Sequence, residues 1–248
     1  MPKRLQNRGV FVTGGAVRIG KAICELFSEA GFSVVIHYRS SGTQARALAA
    51  RLRKAGNEAW TVSGRLDTEA GCRKVIAEAW RVSGGFSVLV NNASIYEVAG
   101  AAESKWMQFS RTFATNLFGP ACLSSQFYKR TLRRKGMTGC IVNILDRRIA
   151  GIGHDSVAYT LSKKALAEYT RITALEFAPT LRVNAVAPGA ILPAKGRGTK
   201  RSVGMLKQNP LGIKSTPKDV ASAALYLANA PSITGQILFV DGGSSLEK

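Results

Sequence analysis

Acidic residues are scarce in this chain: 15 Asp plus Glu stand against 35 Lys plus Arg, a formal charge of +20, and the first acid is Glu25. A leading stretch without acids has the bias of an organelle-targeting segment, but a strand that begins near Val10 leaves too little chain for one. Cysteine is also sparse. Cys24, Cys72, Cys122 and Cys140 contain no C-x-x-C pair, which excludes a disulfide framework and the usual thiolate metal sites. They read as small buried hydrophobes in a reducing compartment. Two histidines, His37 and His154, are too few for the common zinc constellations, so no metal is indicated. No run of 18 apolar residues exists to span a bilayer, and residues 1–8 lack the apolar centre of a signal peptide. A cytoplasmic location is expected, with no membrane partner.

What the chain does contain is enough apolar residue for a sizeable core, 46% over 248 residues, within the range of one large α/β domain spanning 1–248. Short β-branched runs over 10–13, 33–37, 58–63, 87–91, 140–145, 182–186 and 236–240 alternate with helical patterns over 19–30, 43–55, 69–82, 109–134, 157–177 and 218–228. Seven strands and six helices fit a single doubly wound parallel sheet, Rossmann-like, with helices on both faces and a ligand crevice at the carboxyl ends of the strands. The stretch 188–217 has poor periodicity and is rich in Gly, Pro, Lys and Arg, as in a substrate loop or lid. Basic clusters occur near Arg46–Lys54, Lys129–Lys135 and Lys195–Arg201. The second lies at an apparent helix C-terminus, where cations favour the dipole. The field attracts anions, and a phosphorylated cofactor, a polyanionic substrate and nucleic acid all satisfy it.

Chemistry enters with Tyr159 and Lys163, four residues apart on one helix face. An ammonium near a phenol favours its ionised form and makes the phenol a tuned proton donor, although a packed Tyr beside a solvated Lys has the same spacing. The first strand runs into Thr13-Gly14-Gly15-Ala16-Val17-Arg18-Ile19-Gly20 and then a helix, a place where backbone can approach a pyrophosphate. The second strand ends in His37-Tyr38-Arg39-Ser40, with no acid to meet ribose hydroxyls. Arg39 and Ser40 therefore point to the 2′-phosphate of NADPH, and Arg18 adds a second cation near the phosphates. Asn91-Asn92-Ala93-Ser94-Ile95-Tyr96 closes the fourth strand, and Asn116 lies in a later helix.

Taken together with Asn184–Gly189 and Thr234–Gly243, these motifs resemble the short-chain dehydrogenase/reductase family over nearly the whole chain. Two departures from the common pattern resemble the pteridine reductases within it. Arg18 replaces a glycine of the cofactor turn, and Asp146, thirteen positions before Tyr159, stands where most members carry a Ser. The resemblance implies that Tyr159 donates or relays a proton, that Lys163 lowers its pKa and binds the nicotinamide ribose, and that Asp146 assists protonation. It implies a water held by Asn116, contact of Arg18 and Ser94 with cofactor phosphate and pterin, and an aromatic wall from Tyr96. Gly14, Ile19, Gly20, His37, Tyr38, Asn92, Ala93, Pro188 and Gly189 would line the NADPH site, with Leu66 meeting the adenine through its main chain. One departure cuts the other way: Arg65 stands where the family places an adenine-contacting Asp, leaving Asp67 as a substitute or Arg65 as a stacking group. Arg147 and Arg148 would favour an ionised Asp146, suited to pairing with a protonated pterin.

The expected function is NADPH-dependent reduction of a pterin or dihydrofolate-like substrate by a homotetramer packed through the helices over 109–134 and 157–177. Rival readings are a carbonyl reductase of the same family, for example on 3-oxoacyl thioesters, which Asp146 disfavours, and a basic NADPH-sensing nucleic-acid-binding protein. No aromatic-interleaved basic stripe supports the last, so nucleic-acid binding is expected to be weak and non-specific.

Overall fold

Gly9–Val12 is buried at every position, as a strand covered on both faces must be. The computed structural model describes residues 8–191 and 209–247. In it this strand, β1, belongs to a seven-stranded sheet with β2 (Ser33–Tyr38), β3 (Ala59–Ser63), β4 (Val88–Asn91), β5 (Gly139–Ile144), β6 (Leu181–Pro188) and β7 (Ile237–Val240). The order is β3-β2-β1-β4-β5-β6-β7, and every adjacent pair is parallel. The expected strands are all present, with ends shifted by one or two residues.

Alternation along β1 assigns the layers. Val10 and Val12 pack with Ile23 and Phe27 of α1 (Arg18–Glu29), Leu48 of α2 (Gly42–Lys54) and Val220 and Ala224 of α7 (Pro217–Asn229). Phe11 points to the other face and joins Ile76 of α3 (Glu69–Ser83) and Leu123 and Phe127 of α5 (Gly119–Leu132). Full burial of one such Phe is worth about 1.5–3 kcal/mol, so the two layers are held by many similar increments. Leu166 and Ala167 of α6 (Val157–Glu176) cover Leu145, Ala185 and Ala187 in a third cluster.

The expected helix over 109–134 needs correction. Helix starts earlier, as α4 (Trp106–Phe113), passes through one π-helical turn at Ala114–Phe118, and resumes as α5. The amide of Gly119 donates to the carbonyl of Ala114, five residues back, which closes the wide turn. A Cβ on Gly119 would lie 2.5 Å from the Leu66 carbonyl oxygen, so only glycine fits where this helix crosses the end of the sheet.

Because β2 and β3 lie on one side of β1 and β4 to β7 on the other, the chain reverses between β1 and β4, and a crevice opens outside their carboxyl ends. No described helix is long and apolar enough to cross a membrane. Residues 192–208, which carry most of the expected substrate loop and the Lys195–Arg201 cluster, lie outside the described residues.

Candidate active site

The crevice is a cleft of about 810 Å³, within the usual range for a ligand pocket. Every cofactor and substrate residue singled out from the sequence lines it; Asn116 does not.

At the centre lies the glycine turn. Gly14 adopts φ +61°, and a Cβ on Gly20 would stand 2.2 Å from the Gly14 carbonyl oxygen, so turn and helix touch through bare backbone. Val17 at the N-cap of α1 has no polar side chain to satisfy the first amides, and the first turn carries no acid. A helix end of this kind suits a phosphate. Arg18 also has a positive φ, +55°, an unusual conformation for a residue with a Cβ and a strain of about 1–2 kcal/mol. The turn is braced from both sides. Thr13 Oγ1 accepts from the amides of Asn92 (2.9 Å) and Ala93 (3.0 Å), while Asn92 Nδ2 donates to the carbonyls of Thr13 and Gly14. His37 is buried, and its Nδ1 accepts from the Gly14 amide at 3.1 Å while Nε2 faces the Gly64 carbonyl at 3.2 Å. That network assigns the proton to Nε2. Burial pulls the imidazole down to about 4, so it is neutral under ordinary conditions. Asn92 and His37 are thus buttresses as well as lining.

At the β2 end of the cleft, Arg39 and Ser40 are exposed, beside Tyr38. Arg65 does not stack inward; its guanidinium grips Asp67 bidentately, with Nε to Oδ1 at 2.8 Å and Nη2 to Oδ2 at 3.0 Å. Asp67, named from the sequence as a substitute for the adenine-contacting acid, lines the cleft, but its pairing with Arg65 was not foreseen, because a spacing of two decides no geometry.

The opposite end holds the titrating groups. Tyr159 and Lys163 both come to the inner face of α6 and are buried. The phenol donates to Asp146 Oδ2 at 2.9 Å, and the Lys163 ammonium donates to the Ile144 carbonyl at 2.7 Å, lying 5.8 Å from the Tyr159 ring centroid. The expectation that Lys163 favours an ionised phenol is corrected by the environment. Burial first, and the Asp146 charge second, hold Tyr159 well above the ordinary phenol range, so its proton is retained. Burial also pulls Lys163 down to about 8, opposed by Asp146.

Asn116 sits behind this group, fully buried in the π turn. Its Oδ1 accepts from Ser94 Oγ and the Ile95 amide, and its Nδ2 donates to the Ile95 carbonyl and to Ser162 Oγ, which donates in turn to the Tyr159 carbonyl. The side chain is therefore committed to protein partners, and positions the loop after β4. The Arg148 main-chain amide, not its guanidinium, meets Asp146 Oδ1 at 2.9 Å. That guanidinium pairs with Asp155 and donates to Tyr96 Oη at 3.2 Å, while Ser156 Oγ donates to the same oxygen at 3.0 Å. Tyr96 meets Tyr159 edge-on, with ring centroids 4.8 Å apart. Ser162, Asp155 and Ser156 were not singled out from sequence, although Ser162 at three residues after Tyr159 shares its helix face. Pro188 and Gly189 close the floor, where a Cβ on Gly189 would lie 2.9 Å from the Asp241 Cα.

A switch-point cleft of a doubly wound sheet, joined to an inward Tyr/Lys pair on the helix after β5, defines a short-chain dehydrogenase/reductase. The chain belongs to that family: the family model described as enoyl-(acyl carrier protein) reductase matches residues 14–245, and the protein is an NAD(P)-dependent oxidoreductase. The crystal structure of FolM alternative dihydrofolate reductase 1 from Brucella canis, complexed with NADP, is similar at 34% identity and a TM-score of 0.93, covering 98% of this chain and 96% of that one. The 3beta-hydroxysteroid dehydrogenase 1 of Eggerthella lenta is 32% identical over 98% of this chain and 95% of its own length. An uncharacterized oxidoreductase of Methylorubrum extorquens is 31% identical over 97% of this chain and 98% of its own.

Proposed function

We propose that this chain is an NADPH-dependent reductase of pterins, acting on a dihydropteridine or a dihydrofolate-like substrate. The observation that carries the reading is the carboxyl group of Asp146 hydrogen-bonded to the Tyr159 phenol. A pterin offers ring nitrogens that take up protons, so a carboxyl group beside the reacting bond serves it, whereas a simple ketone needs only a hydroxyl donor at its oxygen. The similar Brucella canis protein, FolM alternative dihydrofolate reductase 1 complexed with NADP, supports both substrate class and cofactor. Ketone reduction is the second reading, favoured by the similar steroid dehydrogenase.

NADPH, when bound, supplies the hydride. Gly14, Ile19, Gly20 and the N-terminus of α1 would hold its pyrophosphate, with Arg18 alongside, and Arg39 and Ser40 its 2′-phosphate. The Leu66 main chain would border the adenine; Asn92, Ala93, Pro188 and Gly189 would border the rest. The Lys163 ammonium would hold ribose hydroxyls, fixed in place by its bond to Ile144. Tyr159 holds its proton, and the half-buried Asp146 carboxylate stands within reach to relay a proton from solvent to it or to pair with a protonated ring. Tyr96, tied at its hydroxyl by Arg148 and Ser156, offers a fixed aromatic surface to a flat heterocycle near Ser94. We also infer a homotetramer packed through α4, α5 and α6, whose Trp106, Met107, Leu132 and Leu175 are exposed, and a cytoplasmic setting for its free thiols.

The test follows NADPH oxidation with dihydrobiopterin, dihydrofolate and an acetoacetyl thioester side by side. Tyr159→Phe is expected to lower pterin kcat by about two orders of magnitude or more, and Asp146→Ser to reduce pterin turnover far more than any ketone activity. If the wild type reduces the ketone and ignores every pterin, the second reading replaces the first.

A further inference from the structure

The strand register brings the ends of β2 and β3 together: Tyr38 pairs with Ser63, and the Gly64 amide donates to the Tyr38 carbonyl. Arg39 and Arg65, one and two residues beyond those positions, therefore emerge side by side at one end of the cleft. A single carboxylate lies between them. Asp67 lines the cleft with its side chain only 7% exposed, against 55% for Arg39 and 62% for Arg65. Its two oxygens are not shared equally. Arg65 takes both in a planar fork at 2.8 and 3.0 Å, whereas Arg39 stands 3.5 Å from Oδ2, beyond a good hydrogen bond for that pair.

We infer that Arg65 is a specificity-determining residue that acts through Asp67: by engaging the carboxylate, it leaves the Arg39 guanidinium available for a 2′-phosphate on the cofactor. Without Arg65, the one cation left beside a mostly buried carboxylate among the described residues is Arg39, which already stands in ion-pair range at 3.5 Å. That carboxylate would draw Arg39 from this loose pair into a close hydrogen-bonded one and would repel a phosphate dianion entering the same end of the cleft. An acid at this end would otherwise mark a preference for NAD, through ribose hydroxyls. Arg65 cancels that acid. The fork matters as much as the charge, because a bidentate guanidinium occupies both oxygens, whereas a lysine ammonium binds as a point charge. Arg65 therefore need not touch the nucleotide at all.

This inference rests on the proposed use of NADPH and not on the pterin substrate, so it is tested by nucleotide binding alone. Titration calorimetry with NADP+ and with NAD+ on the full chain, without any pterin, covers wild type, R65A, D67N and the double variant. R65A is expected to weaken NADP+ binding at least tenfold while changing NAD+ binding less than threefold. D67N alone should shift NADP+ binding less than threefold, because Arg65 already satisfies that carboxylate, and adding D67N to R65A should restore it to within threefold of wild type. Four results overturn the inference. Equal losses for NADP+ and NAD+ in R65A would make Arg65 a stacking or general contact. Strictly additive effects, with D67N tightening NADP+ by the factor that R65A loses, would reduce the pair to bulk charge. A wild type that binds NADP+ no more tightly than NAD+ would overturn the cofactor reading along with it, whereas selective wild type with an unaffected R65A overturns this inference only.

Discussion

Lys163 carries its charge at a cost. Buried and pulled down to about 8, its ammonium is charged at neutral pH and discharges not far above it. If that charge holds ribose hydroxyls, NADP+ affinity falls as pH rises through 8, and the limb is missing in Lys163→Gln, which binds weakly throughout. Titrations on both sides of pH 8 check this; a flat wild-type profile would remove Lys163 from the cofactor site. For the fold the sign is opposite. The folded value lies below the ordinary 10.5, so between the two the unfolded chain holds more protons and stability rises with pH. At this scale the Tyr159/Lys163 pair was legible, because a spacing of four survives any tertiary context. Its electrostatics were not. Burial and Asp146 outweigh the ammonium for the phenol, and neither quantity is written in a spacing. The Arg65–Asp67 and Arg148–Asp155 pairs were hidden for the same reason: which acid an arginine reaches depends on how loops cross.

Among elements, His37 joins three. From β2 it accepts the amide of Gly14 after β1 and faces the carbonyl of Gly64 after β3. Protonation at Nδ1 would oppose the Gly14 amide, so the junction opposes charging. With the folded value near 4 and the ordinary value 6.5, the unfolded chain binds the extra proton between them, and stability falls as pH drops through that window. The depression is worth roughly 3 kcal/mol in full. Urea denaturation at neutral pH and near pH 4 is expected to show this loss in the wild type and less of it in His37→Asn, which keeps an acceptor but cannot charge. Identical acid slopes for both would put the loss elsewhere. Element order and strand positions were readable because buried parallel strands must be continuous apolar runs and helices amphipathic; β1 and α1 are cases in point. The π turn at Ala114–Phe118 was not, because it answers to the Leu66 carbonyl against Gly119 and the Asn116 amide against Ile95.

For the whole molecule, the charge of +20 and the exposed apolar residues of α4 to α6 pull in opposite directions. Self-repulsion acts through solvent and is screened over about 8 Å at physiological ionic strength, whereas burial of Trp106 or Leu175 against a partner is short-ranged and little affected by salt. The proposed tetramer should therefore weaken at low salt and tighten as salt rises. Weak association with DNA or RNA should do the reverse, as counterions return to the phosphates. Sedimentation velocity across a salt series, alone and with duplex DNA, reads both trends. A monomer at micromolar protein in physiological salt would exclude the tetramer, and sequence-selective binding that survives high salt would exclude the view that nucleic-acid contact is non-specific.

The π turn has a consequence of winding. A helix that takes one additional residue in a turn rotates everything beyond it by about 100° relative to an uninterrupted α-helix. α4 and α5 share one continuous rod with that step in phase, which presents Trp106 and Met107 outward while Leu123 and Phe127 face inward. The same turn delivers Asn116 to the loop behind the cleft, so the step that aims Trp106 and Met107 outward also sets the side chain that holds Ser94 and Ile95.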